Sequence, residues 1–207
     1  MQEEDIAISD KSRIESITEF NSWAYNIIRP FLRGRMLEIE SGDNTCSSLL
    51  LDQGIPVHLN HPDEKIHEYL KVKYALVTHA KIIHSYDFHN DILSKSRPMA
   101  ENAFDIVFGL NAFFDKSPES NILSNISYVL RTTGFLIVVL PVTTTLYQQG
   151  HQDPGYWQRH NRKRFKLILG KLFPIIEVRY FNFNQPANAQ NKIPVSGLSA
   201  IIIAQKK

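Results

Sequence analysis

The sequence predicts a doubly wound α/β domain, and three observations support this fold class. Short apolar segments alternate with amphipathic helical segments through most of the chain, and parallel strands need such crossover connections. The last two strand candidates have no helix between them, so they pair antiparallel most simply. The 207 residues, 43% hydrophobic and 21% charged, suffice for one substantial core.

The chain opens with a helix followed by a strand, a loop and a second helix. Apolar residues at spacings of three and four predict an N-terminal helix at about residues 14–33. Pro30 and Gly34 mark the end of this helix. Residues 35–39 are a short apolar strand candidate, and Ser, Gly, Asp, Asn and Thr follow as turn residues. A helix over Cys46–Gln53 completes this first unit.

The same unit then repeats along the chain, with alternating strand and helix patterns. The predicted strands are Pro56–Asn60, Lys81–His84, Phe104–Leu110 and Gly134–Leu140, and the predicted helices are Asp63–Val72 and Pro118–Leu130.

The last part of the chain changes pattern. A helix is predicted at about Arg162–Phe173, and strands at Ile175–Phe183 and Leu198–Ala204. No linker, internal repeat or composition change divides the chain. We therefore expect a single domain over residues 1–207, with the N-terminal helix at 14–33, a core at about 34–183 and a C-terminal strand at 198–204.

Composition excludes several classes of protein. A formal net charge of +2 gives no nucleic-acid footprint, so a nucleic-acid partner is not expected. The single cysteine, Cys46, cannot form an intramolecular disulfide, and its position at a helix start is compatible with a lowered pKa. The acidic N-terminus and short apolar runs predict a cytoplasmic protein without a membrane partner. The histidines show no ligand pattern, so no metal site is expected.

Residues 35–45, Arg-Met-Leu-Glu-Ile-Glu-Ser-Gly-Asp-Asn-Thr, resemble the first strand and glycine loop of class I S-adenosylmethionine-dependent methyltransferases. Glu38 and Gly42 stand at the family's acidic and central glycine positions, whereas Glu40 and Asn44 replace the other two glycines. The resemblance implies a Rossmann-like seven-stranded sheet in the order 3-2-1-4-5-7-6, with strand 7 antiparallel. A glutamate tolerates the left-handed backbone of a glycine poorly.

Three further segments resemble the same family in the same order. Residues 103–111 resemble its "FDxV" fourth strand, and residues 129–141 resemble its "LkpGG" turn and fifth strand, with Thr133 in place of one glycine. Residues 146–160 resemble the LYgxxDxxxGHxRRY segment of one subgroup. That segment keeps Leu146, Tyr147, Gly155 and Arg159, and it departs from the subgroup at His151, Tyr156, Gln158 and His160.

The resemblance implies a cofactor site at the carboxyl ends of the strands. Glu38 faces the methionine end of S-adenosylmethionine in this interpretation, and the backbone at Gly42 passes beneath it. Asn60 or His61 takes the place of the usual ribose-binding acid, and an amide or imidazole binds hydroxyls less strongly than a carboxylate does. The remaining candidates are Asp43 in the loop, Asp87 and Phe88 for the adenine, and Asn111 beside the sulfonium. Asp87 and Asn111 equally suit simple turn caps.

The methyl acceptor is not identified by the sequence, although a small molecule is the expected substrate. Substrate contacts are assigned to Tyr147, Tyr156 and Arg159, and His151 and His160 are the candidates for a general base. A catalytically inactive member of the fold with a binding or regulatory role is the alternative, because altered glycines weaken or abolish cofactor binding. A nicotinamide-dependent oxidoreductase is disfavoured, because no Gly-x-Gly-x-x-Gly follows the first strand.

Overall fold

A computed structural model describes the chain at residues 19–42, 45–83, 86–90, 99–109, 121–141, 169–182 and 198–207. Its centre is a seven-stranded sheet in the order β3-β2-β1-β4-β5-β7-β6. The strands are β1 Met36–Glu38, β2 Val57–Leu59, β3 Ala80–Ile82, β4 Phe104–Gly109, β5 Leu130–Pro141, β6 Ile175–Asn182 and β7 Leu198–Gln205.

Strands β1 to β5 are mutually parallel, and β7 runs antiparallel to both of its neighbours, β5 and β6. The predicted strand order and the predicted antiparallel seventh strand are therefore confirmed. Strands β6 and β7 pair antiparallel, as expected for neighbouring strands that are joined without a crossover helix.

The helices lie between the strands, as the alternating pattern predicts. They are α1 in residues 19–28, α2 Cys46–Asp52, α3 Glu64–Lys73, α4 Ile122–Val129 and α5 in residues 169–172. A 3-10 turn, Arg29–Phe31, ends α1 at Pro30, which has no amide hydrogen to continue the α-helical bonding. Leu130 ends α4 because its backbone is already extended, with ψ of 134°. The predicted starts of α1, α4 and α5 lie outside the described residues.

Apolar side chains cover both faces of the sheet, which makes the domain doubly wound. On one face Ile106 and Phe108 of β4 pack in a cluster with Ile28 of the N-terminal helix. On the opposite face Val107 packs in a second cluster that contains Ile126 of α4 and Phe173. This two-sided burial explains why the strands read as continuous apolar runs.

Asp105, the aspartate of the segment that resembles "FDxV", organises the amino end of the sheet. Its Oδ2 accepts a hydrogen bond of 2.8 Å from the backbone amide of Arg35, and Arg131 donates to Oδ1 over 3.1 Å. Gly34, with φ of 62°, turns the chain so closely that a Cβ there would lie 2.1 Å from Oδ2. This motif aspartate is therefore structural, far from the carboxyl ends of the strands.

The turn before the main part of β5 keeps a glycine-like backbone without one of its glycines. Thr133 has φ of 64°, a left-handed conformation that is costly for a β-branched residue. Its amide donates to the carbonyl of Lys206, and the amide of Lys206 donates to the carbonyl of Gly134. These bonds attach the end of the chain that follows β7 to the turn, and they hold Thr133 in place.

Within the described ranges, no helix combines the length and the apolar character needed to cross a membrane.

Candidate functional site

The carboxyl ends of β1, β2 and β4 meet at one edge of the sheet. The strand order reverses between β1 and β4, and open α/β sheets bind ligands at the carboxyl edge beside such a switch point. Glu38 ends β1, and the loop toward α2 begins immediately after it. The residues predicted from the glycine-loop resemblance therefore lie where this architecture places its ligand sites.

Glu38 is a buried carboxyl group with half of its hydrogen-bonding capacity unused. The residue is 1% exposed, and Oε2 accepts a hydrogen bond of 3.0 Å from the Thr45 hydroxyl. Among the described residues, Oε1 has no hydrogen-bond partner. A buried acceptor without a partner is costly, so a cationic or N–H group that approached Oε1 would be bound favourably.

Burial also changes the acidity of Glu38. Removal from water raises its pKa to about 7, and the polar groups of Ser47, Thr45 and Ser41 oppose that rise without cancelling it. The carboxyl group therefore exchanges a proton near neutral pH, where an ordinary glutamate is fully ionised.

Backbone hydrogen bonds fix the β1 loop to the end of β2. The amide of Ser41 donates to the carbonyl of Asn60 over 2.8 Å, and the amide of Asn60 donates to the carbonyl of Glu38 over 3.1 Å. Asn60 is fully buried in this arrangement. His61 beside it is half-buried, and its Nδ1 accepts the amide of Asp63 over 3.0 Å. Of the two residues predicted at the strand-two position, His61 is thus the more accessible.

Glu40 occupies a glycine position and adopts the backbone of a glycine. Its φ is 54°, which costs an ordinary residue about 1–2 kcal/mol. The side chain is directed to the segment that follows β3, where Oε1 lies 3.3 Å from Nε2 of His89. The carboxylate that replaced the glycine is therefore held by a histidine of a neighbouring loop, a pairing that sequence reasoning missed because the two residues are distant in the chain.

Gly42 differs from the other loop glycines, because the fold itself does not require a glycine there. Its φ lies outside the left-handed region, and a Cβ would contact only Cγ2 of Thr45, at 4.0 Å, among the described residues. Space above this residue is left open, which is the property that close approach of a ligand to the backbone requires.

The segment 86–90 after β3 is a self-contained turn. Oδ1 of Asp87 accepts the amide of His89 over 2.9 Å, and Oδ2 accepts the side-chain amide of Asn90 over 2.7 Å. Phe88 is buried in the core, and Asn125 of α4 donates to its carbonyl over 2.8 Å. The local hydrogen bonds of Asp87 agree with the alternative interpretation of this residue as a turn cap. Asn125 holds the turn in position, and no sequence pattern indicated this role.

Cys46 does not have the lowered pKa with which its position at a helix start is compatible. The thiol is buried in the first turn of α2, and burial, reinforced by the nearby Glu38 carboxylate, raises its pKa far above the usual range. Cys46 is therefore a core residue and not a nucleophile.

Seven predicted site residues lie outside the described parts of the chain, and their roles stay predictions. They are Asp43, Asn111, Tyr147, His151, Tyr156, Arg159 and His160.

Comparison with known proteins supports the fold at low sequence identity. By sequence the chain matches no protein-family model and no curated protein. An S-adenosylmethionine-dependent methyltransferase from Methanosarcina mazei superposes with a TM-score of 0.63 at 18% identity, covering 88% of this chain and 97% of that one. One from Aquifex aeolicus gives 0.59 at 12% identity, covering 88% of each chain. A possible histamine N-methyltransferase from Thermotoga maritima gives 0.59 at 15% identity, covering 97% and 96%. The chain therefore has the fold of these methyltransferases.

Proposed function

We propose that this chain is an S-adenosylmethionine-dependent methyltransferase that acts on a small-molecule acceptor. The observation that carries the proposal is the buried Glu38 carboxyl group at the switch point, with Oε1 lacking a hydrogen bond among the described residues. The shared fold of three solved methyltransferase structures supports it.

The residues at this edge fit the cofactor in two respects. Oε1 of Glu38 offers an acceptor to the cationic amino group of the methionine moiety, and the open space at Gly42 allows the moiety to approach the backbone. The foreign carboxylate of Glu40 is close to His89, which reduces its repulsion of the cofactor's own carboxylate. At the end of β2, the half-buried His61 is proposed to contact the ribose.

The chemistry requires little more than positioning. When bound, S-adenosylmethionine would supply a methyl group: a nucleophilic O, N or C atom of the acceptor would bond to the methyl carbon in line as its bond to sulfur breaks, leaving the sulfur as a neutral thioether. We assign the protein the tasks of orienting the two reactants and excluding water. Tyr147, Tyr156 and Arg159 are proposed to contact the acceptor, and His151 or His160 is proposed to take its proton. Asn111 and Asp43 are proposed to line the cofactor side.

Titration with S-adenosylmethionine and with its demethylated product tests the proposal. We expect saturable heat in calorimetry and a rise in melting temperature, because a ligand that binds only the folded state stabilises it. Absence of both signals at millimolar ligand would contradict the proposal. Competition by the demethylated product distinguishes the cofactor site from weak association elsewhere.

Changing Gly42 to alanine separates binding from folding. We expect the free energy of unfolding to change by less than about 0.5 kcal/mol, because the added methyl group meets nothing closer than 4.0 Å among the described residues. We expect cofactor affinity to fall at least tenfold, because the methyl group enters the space left for the ligand. Urea unfolding and calorimetric titration measure the two effects, and unchanged affinity would place the ligand elsewhere.

A binding or regulatory protein without turnover is the second candidate function. Two observations favour it: Asn60 is buried among backbone hydrogen bonds, and both carboxylate oxygens of Asp87 accept local bonds within its own turn. Each residue would otherwise contribute to binding the adenosine. A folded chain with neither cofactor binding nor methyl transfer to any of a panel of small-molecule acceptors would favour this candidate, and measured turnover would eliminate it.

A further inference from the structure

Helix α3 brings together three side chains that the proposed methyl transfer does not use. Glu64, His67 and Glu68 each present one ligand atom, and these atoms all lie within 4.8 Å of one another. We propose that Glu64, His67 and Glu68 form a binding site for a divalent transition-metal ion of the zinc type. The sequence predicts no metal site, because the histidines show no ligand pattern.

The distances between the three side chains suit a metal ion. Nδ1 of His67 lies 3.8 Å from Oε1 of Glu64 and 3.8 Å from Oε1 of Glu68. Two ligands that each lie about 2.1 Å from a tetrahedral zinc ion are separated by roughly 3.5 Å. Small side-chain rotations of the two exposed glutamates would therefore complete this part of a coordination shell.

The hydrogen bonding of His67 is the independent observation that points to a cation. The residue is 3% exposed, and its Nε2 lies 2.6 Å from the carbonyl oxygen of Ile83. A carbonyl only accepts, so Nε2 carries the hydrogen and, in the neutral ring, Nδ1 carries the lone pair. Metal-binding histidines typically donate their other ring N–H to a carbonyl or carboxylate in this way.

In the neutral ring, the Nδ1 lone pair has no hydrogen-bond donor among the described residues. Among the described residues Nδ1 makes no hydrogen bond, and the nearest charged groups are the acceptor oxygens of Glu64 and Glu68. A buried lone pair beside two carboxylates is electrostatically unfavourable. A divalent cation between the three atoms converts this repulsion into coordination.

Lys71 is the competitor for this site. Its Nζ lies 2.6 Å from the same oxygen of Glu68 that faces His67, and this hydrogen bond lowers the pKa of Glu68. The ion must therefore displace the ammonium group of Lys71 or share the Glu68 carboxylate with it. Removal of the lysine should strengthen metal binding, which makes Lys71 a useful test position.

The proposed site joins α3 to the edge of the sheet. His67 belongs to the helix, and the Ile83 carbonyl to which it donates directly follows β3. A bound ion would fix the imidazole ring and hence this connection. We therefore assign the ion a stabilising role, separate from the proposed methyl transfer.

Zinc titration of the purified full chain tests the inference, with calorimetry for stoichiometry and thermal unfolding for stability. We expect one zinc ion per chain at this site and a rise in melting temperature of roughly 5 °C at a hundredfold excess over the dissociation constant. The double variant Glu64→Gln/Glu68→Gln should lose at least tenfold in affinity. Lys71→Ala should gain several-fold. Cobalt(II) should give a visible absorption band that the double variant lacks.

A matched control removes two exposed carboxylates elsewhere, Glu19→Gln/Glu101→Gln, and should bind zinc as the unmodified chain does. The exposed glutamates are changed first, because replacing the buried His67 also affects folding. His67→Gln is then tested for zinc binding, after its unfolding curve shows that the variant is folded. Equal zinc affinity in the unmodified chain and in the Glu64→Gln/Glu68→Gln variant would overturn the proposal.

Discussion

Alanine at position 34 is expected to lower the free energy of unfolding by about 3 kcal/mol, and two causes contribute. Gly34 has φ of 62°, a conformation that costs a residue with a Cβ about 1–2 kcal/mol. The new methyl group would also lie 2.1 Å from Oδ2 of Asp105. The carboxylate must then move away from the Arg35 amide and from Arg131, so two hydrogen bonds weaken.

Gly54→Ala is the matched control for this experiment. Gly54 has a similar φ of 72°, but no atom of the described residues lies within 4 Å of the position where its Cβ would be. Its substitution should therefore cost only the conformational part, about 1 kcal/mol. Urea unfolding of both variants measures the difference. Equal losses would show that Asp105 does not hold the amino end of the sheet as described.

Glutamine at position 38 is expected to change how stability depends on pH. Burial raises the pKa of Glu38 to about 7 in the folded chain, from an ordinary value of 4.5. A carboxyl group with a raised folded-state pKa contributes its full stability below the unfolded-state value. That contribution is lost as the pH rises through the folded-state value, because ionisation then favours the unfolded chain.

The loss expected from Glu38 amounts to about 3 kcal/mol between pH 4.5 and somewhat above pH 7, and Glu38→Gln removes it. The variant and the unmodified chain should be similarly stable near pH 4.5, and the variant should be the more stable at pH 8. Denaturant unfolding at a series of pH values measures this, with the exposed Glu101→Gln as control. Parallel profiles for the unmodified chain and Glu38→Gln would contradict the assignment.

The strands and helices were predictable because each depends on a local pattern of apolar and polar residues that recurs along the chain. Strands such as β4 are buried on both faces and therefore appear as continuous apolar runs between helical patterns. The Asp63 cap illustrates the helix signals, since its carboxylate accepts the amides of Lys65 and Ile66 at the start of α3. The strand order, which periodicity alone does not provide, was implied by the resemblance to class I methyltransferases.

The site was less predictable because its key contacts join distant parts of the chain. The sequence shows that Glu40 stands where the family resemblance implies a glycine. Only the fold shows that His89 lies beside it. Likewise, no pattern in α3 reveals that the carbonyl of Ile83 fixes the hydrogen of His67. Glu40 and Thr133, at two positions where the resemblance implies glycine, both have a left-handed backbone, with φ of 54° and 64°.

The position of β7 has a consequence for how the molecule is made. This strand lies between β5 and β6, both of which precede it in the chain, and its Ile201, Ile202 and Ile203 are fully buried. During synthesis, the strand edges of β5 and β6 that pair with β7 stay unpaired until β7 has left the ribosome. Such exposed edges are templates for aggregation, and pairing between distant segments is slow. Productive folding of this chain therefore depends on what protects those two edges before the last strand arrives.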